Sequence, residues 1–238
     1  MDVTPIIDPL NERQREAVTA PAGEPLLVLA GAGSGKTRVL VHRIAWLRAV
    51  EGMSSHSILA VTFTNKAARE MRGRVESLVG ATAGAMWVGT FHGLSHRLLR
   101  AHWREAGLPQ GFQILDADDQ LRLIRRVLRN LELDDSKWPP KQAMGFINGK
   151  KDEGRRPEHL GDTVDPVQEQ LVRIYAAYEQ SRKTAGAVDF AELLLLALET
   201  LRDNPALLDH YRSRFRHLLV DEFQDTNTIQ YAWLRLLV

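Results

Sequence analysis

No cysteine occurs in the 238 residues, which excludes disulfides and thiolate metal sites and is compatible with a reducing compartment. Long apolar runs are missing too. The longest aliphatic stretch, residues 193–198, is six residues, against the ~20 that a membrane-spanning helix needs. The start, Met1-Asp2-Val3-Thr4-Pro5, has neither the basic cluster nor the apolar core of a secretory leader. No membrane association is expected, and the expected location is cytoplasmic. Neither sign of charge dominates: 31 basic residues face 30 acidic ones, for a net charge of +1. Any affinity for nucleic acid must therefore come from local patches rather than a global field. Lysine is scarce, with 24 of the 31 basic residues being arginine, the better partner for bidentate phosphate contacts. Internal repeats and low-complexity segments are also absent. What remains, 44% hydrophobic and 26% charged residues, is ordinary for a soluble globular protein of one large or two modest domains.

One stretch organises the rest: Leu26-Leu27-Val28-Leu29-Ala30-Gly31-Ala32-Gly33-Ser34-Gly35-Lys36-Thr37. Its apolar start reads as a short buried strand, its small residues as a loop, and Lys36-Thr37 as the approach to a helix from 38 to about 50. Val41, Ile44, Ala45 and Leu47 then share one helical face. Glycines let backbone N–H groups turn inward, and a helix N-terminus adds unsatisfied donors, so the stretch is a phosphate cradle. Lys36 reaches the β/γ phosphates and the Thr37 hydroxyl suits Mg²⁺. Ala30 stands where the general pattern G-x-x-x-x-G-K-[ST] has its first glycine.

Ahead of the cradle, Asn11 is placed to cap a short helix carrying Gln14. That helix reads either as a simple docking element or as the carrier of an amide that reads an adenine edge. After the cradle, residues 58–63 read as a second buried strand and 66 to about 78 as a helix with Ala67, Met71, Val75 and Leu78 in one stripe. Between them, Thr62-Phe63-Thr64-Asn65-Lys66 lies at a strand's carboxyl end, where ligands bind in open α/β sheets. This segment reads equally as a base-stacking, phosphate-binding ledge or as a core aromatic followed by a helix cap. Residues 80–84 form a small-residue turn, and Met86-Trp87-Val88-Gly89 a third strand. Thr90-Phe91-His92-Gly93 follows, then a helix from about 94 to 105 with Arg97, Arg100 and Arg104. His92 and His96 are four apart, but Glu does not follow His92, so no zinc helix is implied.

From 116 to about 214 the pattern is helical only. The clearest helix, 118–131, turns Leu121, Ile124, Val127, Leu128 and Leu131 inward and Arg122, Arg125, Arg126 and Arg129 outward. Lys150-Lys151-Asp152-Glu153-Gly154-Arg155-Arg156 reads as a charged loop, with helices at about 166–183, 190–201 and 205–215. The sheet returns at His217-Leu218-Leu219-Val220, running into Asp221-Glu222. Opposite a phosphate cradle, Asp221 would hold Mg²⁺ alongside Thr37, and Glu222 would orient or deprotonate the attacking water. A further helix begins at about 228.

These segments resemble the UvrD/PcrA/Rep group of superfamily-one DNA helicases. The marks are Leu10-Asn11 with Gln14, residues 30–37, residues 61–68, residues 89–92, Val188-Asp189-Phe190-Ala191-Glu192-Leu193-Leu194 and residues 220–227. Ala30 matches the group. The resemblance implies an α/β fold, a RecA-like P-loop NTPase domain with a parallel sheet (1–92 and 215–238) interrupted by an all-helical insert (93–214). It implies ATP and Mg²⁺ as cofactors. Gln14 would read adenine, and Ala30, Gly31, Ala32, Gly33, Ser34, Gly35, Lys36, Thr37 and Arg38 would hold the nucleotide. Thr37 and Asp221 would serve the metal, with Glu222, Lys36 and Asp221 as the catalytic set. Phe63, Thr64, Asn65, Thr90, Phe91 and His92 would line a single-stranded DNA track. The implied activity is ATP-driven 3′→5′ unwinding, acting on single strands and single/double-strand junctions with excision- and mismatch-repair proteins as partners, and with a homodimer open to the full-length protein. These 238 residues alone are expected to bind nucleotide weakly, hydrolyse it slowly and not unwind DNA. Two alternatives stand beside this: a P-loop motor subunit of a helicase–nuclease, and a non-catalytic docking module for DNA or protein.

Overall fold

The computed structural model describes residues 2–80, 85–161 and 165–238. Most of the small-residue turn at 80–84 lies outside the described residues. In chain order the strands are β1 (Ile58–Thr62), β2 (Trp87–Thr90), β3 (Gln113–Leu115), β4 (Ala187–Asp189) and β5 (His217–Val220). The helices begin with α1 (Thr4–Ile7), α2 (Glu12–Thr19), α3 (Lys36–Ala49), α4 (Asn65–Val79) and α5 (Phe91–Ala101). They continue with α6 (Ala117–Asn130), α7 (Pro140–Asp152), α8 (Pro166–Thr184), α9 (Phe190–Arg202), α10 (Pro205–Arg214) and α11 (Thr228–Leu237). Two compact units result: Met1–Leu94 with Asp209–Asp225, and Ser95–Leu208 with Thr226–Val238. The first junction lies two residues past the sequence-based boundary. α11, assigned from sequence to the motor domain, groups with the second unit. It packs on α9 and α7 and buries Ile229, Trp233 and Leu237.

In the first unit a parallel sheet runs β2-β1-β5. Val61 stands opposite both Gly89 and Val220, and Thr62 opposite Thr90. Parallel pairing in this register gathers the carboxyl ends of all three strands at one edge, the place where open α/β sheets bind ligands. Every residue of β1 is buried, as expected for a central strand covered on both faces. α3 buries Val41, Ile44, Ala45 and Leu47, and α4 buries Ala68, Met71 and Val75. Val41, Ile44, Leu47, Met71 and Val75 form the core behind the strand ends with Ile58, Ala60, Met86 and Val88.

The expected buried strand at 26–29 is not there. Leu26, Leu27, Val28 and Leu29 are 50%, 70%, 36% and 84% exposed, and the segment joins no ladder among the described residues. Both edges of β1 are already taken by β2 and β5. A strand that finds no neighbour leaves its backbone to water, however apolar its side chains.

The second unit is mainly helical, but it also carries a two-stranded parallel ladder, Gln113 opposite Ala187 through Leu115 opposite Asp189. Three-residue strands are too short to show an alternating pattern, so the sequence reads as helix and loop there. α6 turns Leu121, Leu123, Ile124, Val127 and Leu128 inward. Together with Ile147, Ile174, Tyr175 and Tyr178 most of these form the unit's core. The charged segment at 150–156 is not simply a surface loop. Lys151 belongs to α7 and is fully buried, and Arg156 is 6% exposed.

Candidate active site

The phosphate loop closes on itself. Ser34 Oγ donates to the Gly31 carbonyl at 2.6 Å, and Lys36 Nζ donates to the Ala30 and Gly31 carbonyls at 3.1 and 3.3 Å. Gly33 and Gly35 have φ of 75° and 87°, left-handed values that a side chain would strain. At Gly35 a Cβ would also stand 2.8 Å from Gln14 Nε2, so a side chain there would displace the Gln14 amide. α3 starts immediately after it, so the helix's first N–H groups point into the loop.

α2 brings Gln14 to this loop. Asn11 accepts from the Gln14 N–H at 2.9 Å, and Gln14 Oε1 accepts from the Asn11 N–H at 3.1 Å, a reciprocal capping box. Gln14 Nε2 then donates to the Ser34 carbonyl at 3.0 Å. The amide keeps one further N–H and one further lone pair, the pair of functions an adenine edge requires.

Asp221 lies directly past β5, its N–H donating to the Val61 carbonyl at 2.9 Å and so extending the ladder by one residue. The Thr37 hydroxyl donates to Asp221 Oδ2 at 3.3 Å across 184 positions of sequence. Burial, then the neighbouring Glu222 charge, pushes the Asp221 carboxyl above the ordinary carboxylate range. A divalent cation would reverse that by favouring the charged form. One hydroxyl and one carboxylate suit Mg²⁺, which takes few protein oxygens and completes its shell with water and phosphate. Glu222 has φ of 48°, an uncommon backbone state for a residue with a side chain. Its carboxylate lies 4.0 Å from Lys36 Nζ and accepts from Gln224 Nε2 at 2.6 Å.

The strand-end ledge is divided. Phe63 is half-buried and meets Phe91 edge-on, with ring centroids 5.8 Å apart. Phe91 is 2% exposed and Thr90 9%, so Phe91 supports Phe63 from beneath and Phe63 is the better-presented ring. Thr64 caps α4 by accepting from the Ala67 N–H at 3.1 Å, and Thr90 caps α5 by accepting from the Gly93 N–H. Asn65 is exposed and His92 half-buried, with burial lowering the His92 pKa. Arg38, exposed on the first turn of α3, stands beside the loop in sequence.

The glycine-rich loop, the Gln14 amide and the Thr37–Asp221 contact thus lie together in the first unit, and comparison with known proteins gives the family. The UvrD/REP helicase N-terminal domain matches residues 10–238. The chain belongs to the UvrD/REP helicase family. It is 61% identical over 237 residues to DNA helicase II of Escherichia coli, covering all of this chain and 33% of that protein. DNA helicase II of Haemophilus influenzae is 55% identical over 241 residues, again 100% and 33%. ATP-dependent DNA helicase PcrA of Staphylococcus aureus is 40% identical over 233 residues, covering 98% of this chain and 32% of the relative. The chain spans about a third of the length of these relatives. Two site neighbours in this family member escape a reading by sequence. Gln224 lies within the 220–227 segment that marks the resemblance, but its contact with Glu222 is not legible there. Arg43 sits on the buried side of α3, where the pattern calls for an apolar residue.

Proposed function

We propose that this chain is the ATP-binding part of an ATP-dependent 3′→5′ DNA helicase that serves excision and mismatch repair. The carrying observation is the Thr37–Asp221 contact of 3.3 Å, which joins the phosphate loop to the acidic end of β5. Lys36 would exchange its two carbonyl partners for β/γ phosphate oxygens, gaining charge-assisted bonds. Thr37 and Asp221 would hold Mg²⁺, which neutralises charge developing on the phosphates. Glu222, anchored by Gln224, would orient the attacking water and accept its proton. Phe63 would stack a base of single-stranded DNA, with Thr64, Asn65 and His92 beside it and Phe91 and Thr90 underneath. Repair proteins, a DNA junction and a second copy of the full-length protein are the partners in this reading, and the location is cytoplasmic.

In a full-length protein carrying these residues, Glu222→Gln should reduce DNA-stimulated ATP hydrolysis by about 10²–10⁴-fold, the range for a lost general base, while leaving nucleotide affinity nearly unchanged. Retained turnover would remove Glu222 from the role assigned to it. The 238-residue chain alone should show no unwinding and little hydrolysis, since an arginine supplied from elsewhere is worth ~10³–10⁵ in such reactions. Brisk DNA-stimulated turnover by the isolated chain would contradict this part of the proposal.

A further inference from the structure

Arg43 is charged, 8% exposed, and devoted to backbone carbonyls. Its Nη1 donates to the Val18 and Ala20 carbonyls at 2.7 and 2.5 Å, and its Nη2 to the Pro21 carbonyl at 3.1 Å. Val18 belongs to the last turn of α2, and Ala20 and Pro21 follow it directly. Carbonyls at a helix C-terminus lack intrahelical partners and carry partial negative charge, so a buried guanidinium satisfies both needs at once. Burying that guanidinium is expensive in itself. Packing alone would be met by an aliphatic side chain, as Val39 and Ala45 meet it on the same helix against Val18.

The placement has a consequence for the site. Arg43 stands seven positions after Lys36 on α3, about two turns below the cradle at 1.5 Å per residue. α2 is therefore fastened at its far end to the helix that bears the cradle. At its near end Gln14 meets the Ser34 carbonyl at 3.0 Å. Other grips on this N-terminal segment hold different pieces. Arg15 takes the Ile7 and Leu10 carbonyls, and His42 Nδ1 lies 2.6 Å from the Ile6 carbonyl. Arg43 ties the C-terminal turn of α2 and the two residues that follow it to α3 through three side-chain hydrogen bonds.

We propose that Arg43 is a positioning residue for nucleotide-base selection, holding α2 on α3 so that the Gln14 amide stays over the phosphate loop. It acts through Gln14 and touches no ligand. The proposal rests on the adenine-reading role given to Gln14 above.

The test compares affinities of the 238-residue chain for ADP, GDP and inorganic triphosphate, by calorimetry with Mg²⁺. In Arg43→Met the preference for ADP over GDP should fall about tenfold, on the order of one lost hydrogen bond, with triphosphate affinity unchanged. Arg43→Lys, which keeps the charge and one donor point, should restore part of the preference. Gln14→Ala should remove the preference, and adding Arg43→Met to it should remove no more, because the two act in series. If Arg43→Met does not fold, the lysine variant is read in the same way against Gln14→Ala. An unchanged preference, a parallel loss of triphosphate affinity, or additive effects would overturn the role of Arg43 while leaving the ATP site standing. No preference for adenine in the unaltered chain would overturn the Gln14 reading itself, and the proposal with it.

Discussion

Lys36 hydrogen-bonds two carbonyls of its own loop and lies 4.0 Å from Glu222, a resting geometry that costs little to leave. The half-buried ion pair is long, at 4.0 Å, and adds little stability by itself, so substitution should spare the fold and strike the ligand. Lys36→Ala is expected to weaken Mg²⁺·nucleotide binding about 30-fold, the worth of a charge-assisted hydrogen bond, with no change in melting temperature. Unchanged affinity by calorimetry would count against the cradle. The two aromatic residues of the ledge should separate in the same manner. Phe63→Ala should weaken single-stranded DNA binding by about 1–3 kcal/mol per stacked base. Phe91→Ala, at a 2% exposed position, should cost about 3–5 kcal/mol of stability. DNA titrations and urea melts distinguish the two, and equal effects on binding without a stability loss at Phe91 would contradict the placement. At this scale the sequence singles out Lys36, Thr37, Asp221 and Glu222, which the structure brings together; their roles belong to the proposal. Arg43 and Lys151 were not readable, because a buried cation looks like a surface one until its partners are known.

Elements were legible in proportion to the length of their pattern. α3, α4, α6, α8 and α9 lie within two residues of the positions their apolar stripes imply, because a repeat of 3.6 residues is well sampled over three turns or more. The β3–β4 ladder and the unpaired 26–29 segment were not legible, since a strand is defined by a neighbour that its own residues do not name. Caps lie between these cases. Asn11 was readable as a cap for α2, and the structure adds that Gln14 completes the box. Asn11→Ala should therefore cost about 1 kcal/mol, as lost caps do, and also lower the preference for adenine nucleotides. Thr64→Ala, which removes the cap of α4, should cost a similar amount and leave nucleotide binding unchanged. Equal nucleotide effects from both variants would sever the proposed link between α2 and base reading.

At the scale of the molecule, each unit is held together differently. The first relies on the sheet and the apolar layer behind it. The second has a buried ionic centre. Lys151 Nζ lies 2.7 Å from Asp189, 2.7 Å from Glu179 and 2.8 Å from Glu192. Arg156 and Arg182 meet Glu192 and Glu179, and Arg156 also meets Glu199. Asp189 in addition caps α9 by accepting the Glu192 N–H at 2.8 Å and accepts the Tyr178 hydroxyl at 2.7 Å. The Asp189 and Glu192 positions of the family-like motif at 188–194 thus serve this lattice, a role invisible before the chain is folded.

Burial alone would raise the Glu192 carboxyl, but Lys151, Arg182 and Arg156 outweigh it and hold it well below the ordinary range. Glu179 is lowered as well: burial and Glu192 raise it, and Lys151 and Arg182 outweigh them. Groups with depressed folded values contribute stability that is complete above the unfolded carboxylate pKa and lost as pH falls through the folded one. Urea melts should therefore show a decline below about 4.5, near the unfolded carboxylate value, beneath the smaller loss that begins near 6.5 because burial lowers His92, His96 and His217. Glu192→Gln should cost about 3–5 kcal/mol at neutral pH, the range for breaking a buried pair, and flatten the acid decline. Stability that rises on acidification below about 4.5 would have the wrong sign for this centre.

Thr37 and Asp221, 184 positions apart, are proposed to form one metal corner of an ATP site. Calorimetry of ADP binding to the 238-residue chain, with and without Mg²⁺, tests it most directly when repeated on Asp221→Asn. Mg²⁺ should strengthen binding by about tenfold or more in the unaltered chain, the scale of one charge-assisted contact, and have no effect in the variant. An equal Mg²⁺ effect in both proteins would contradict it.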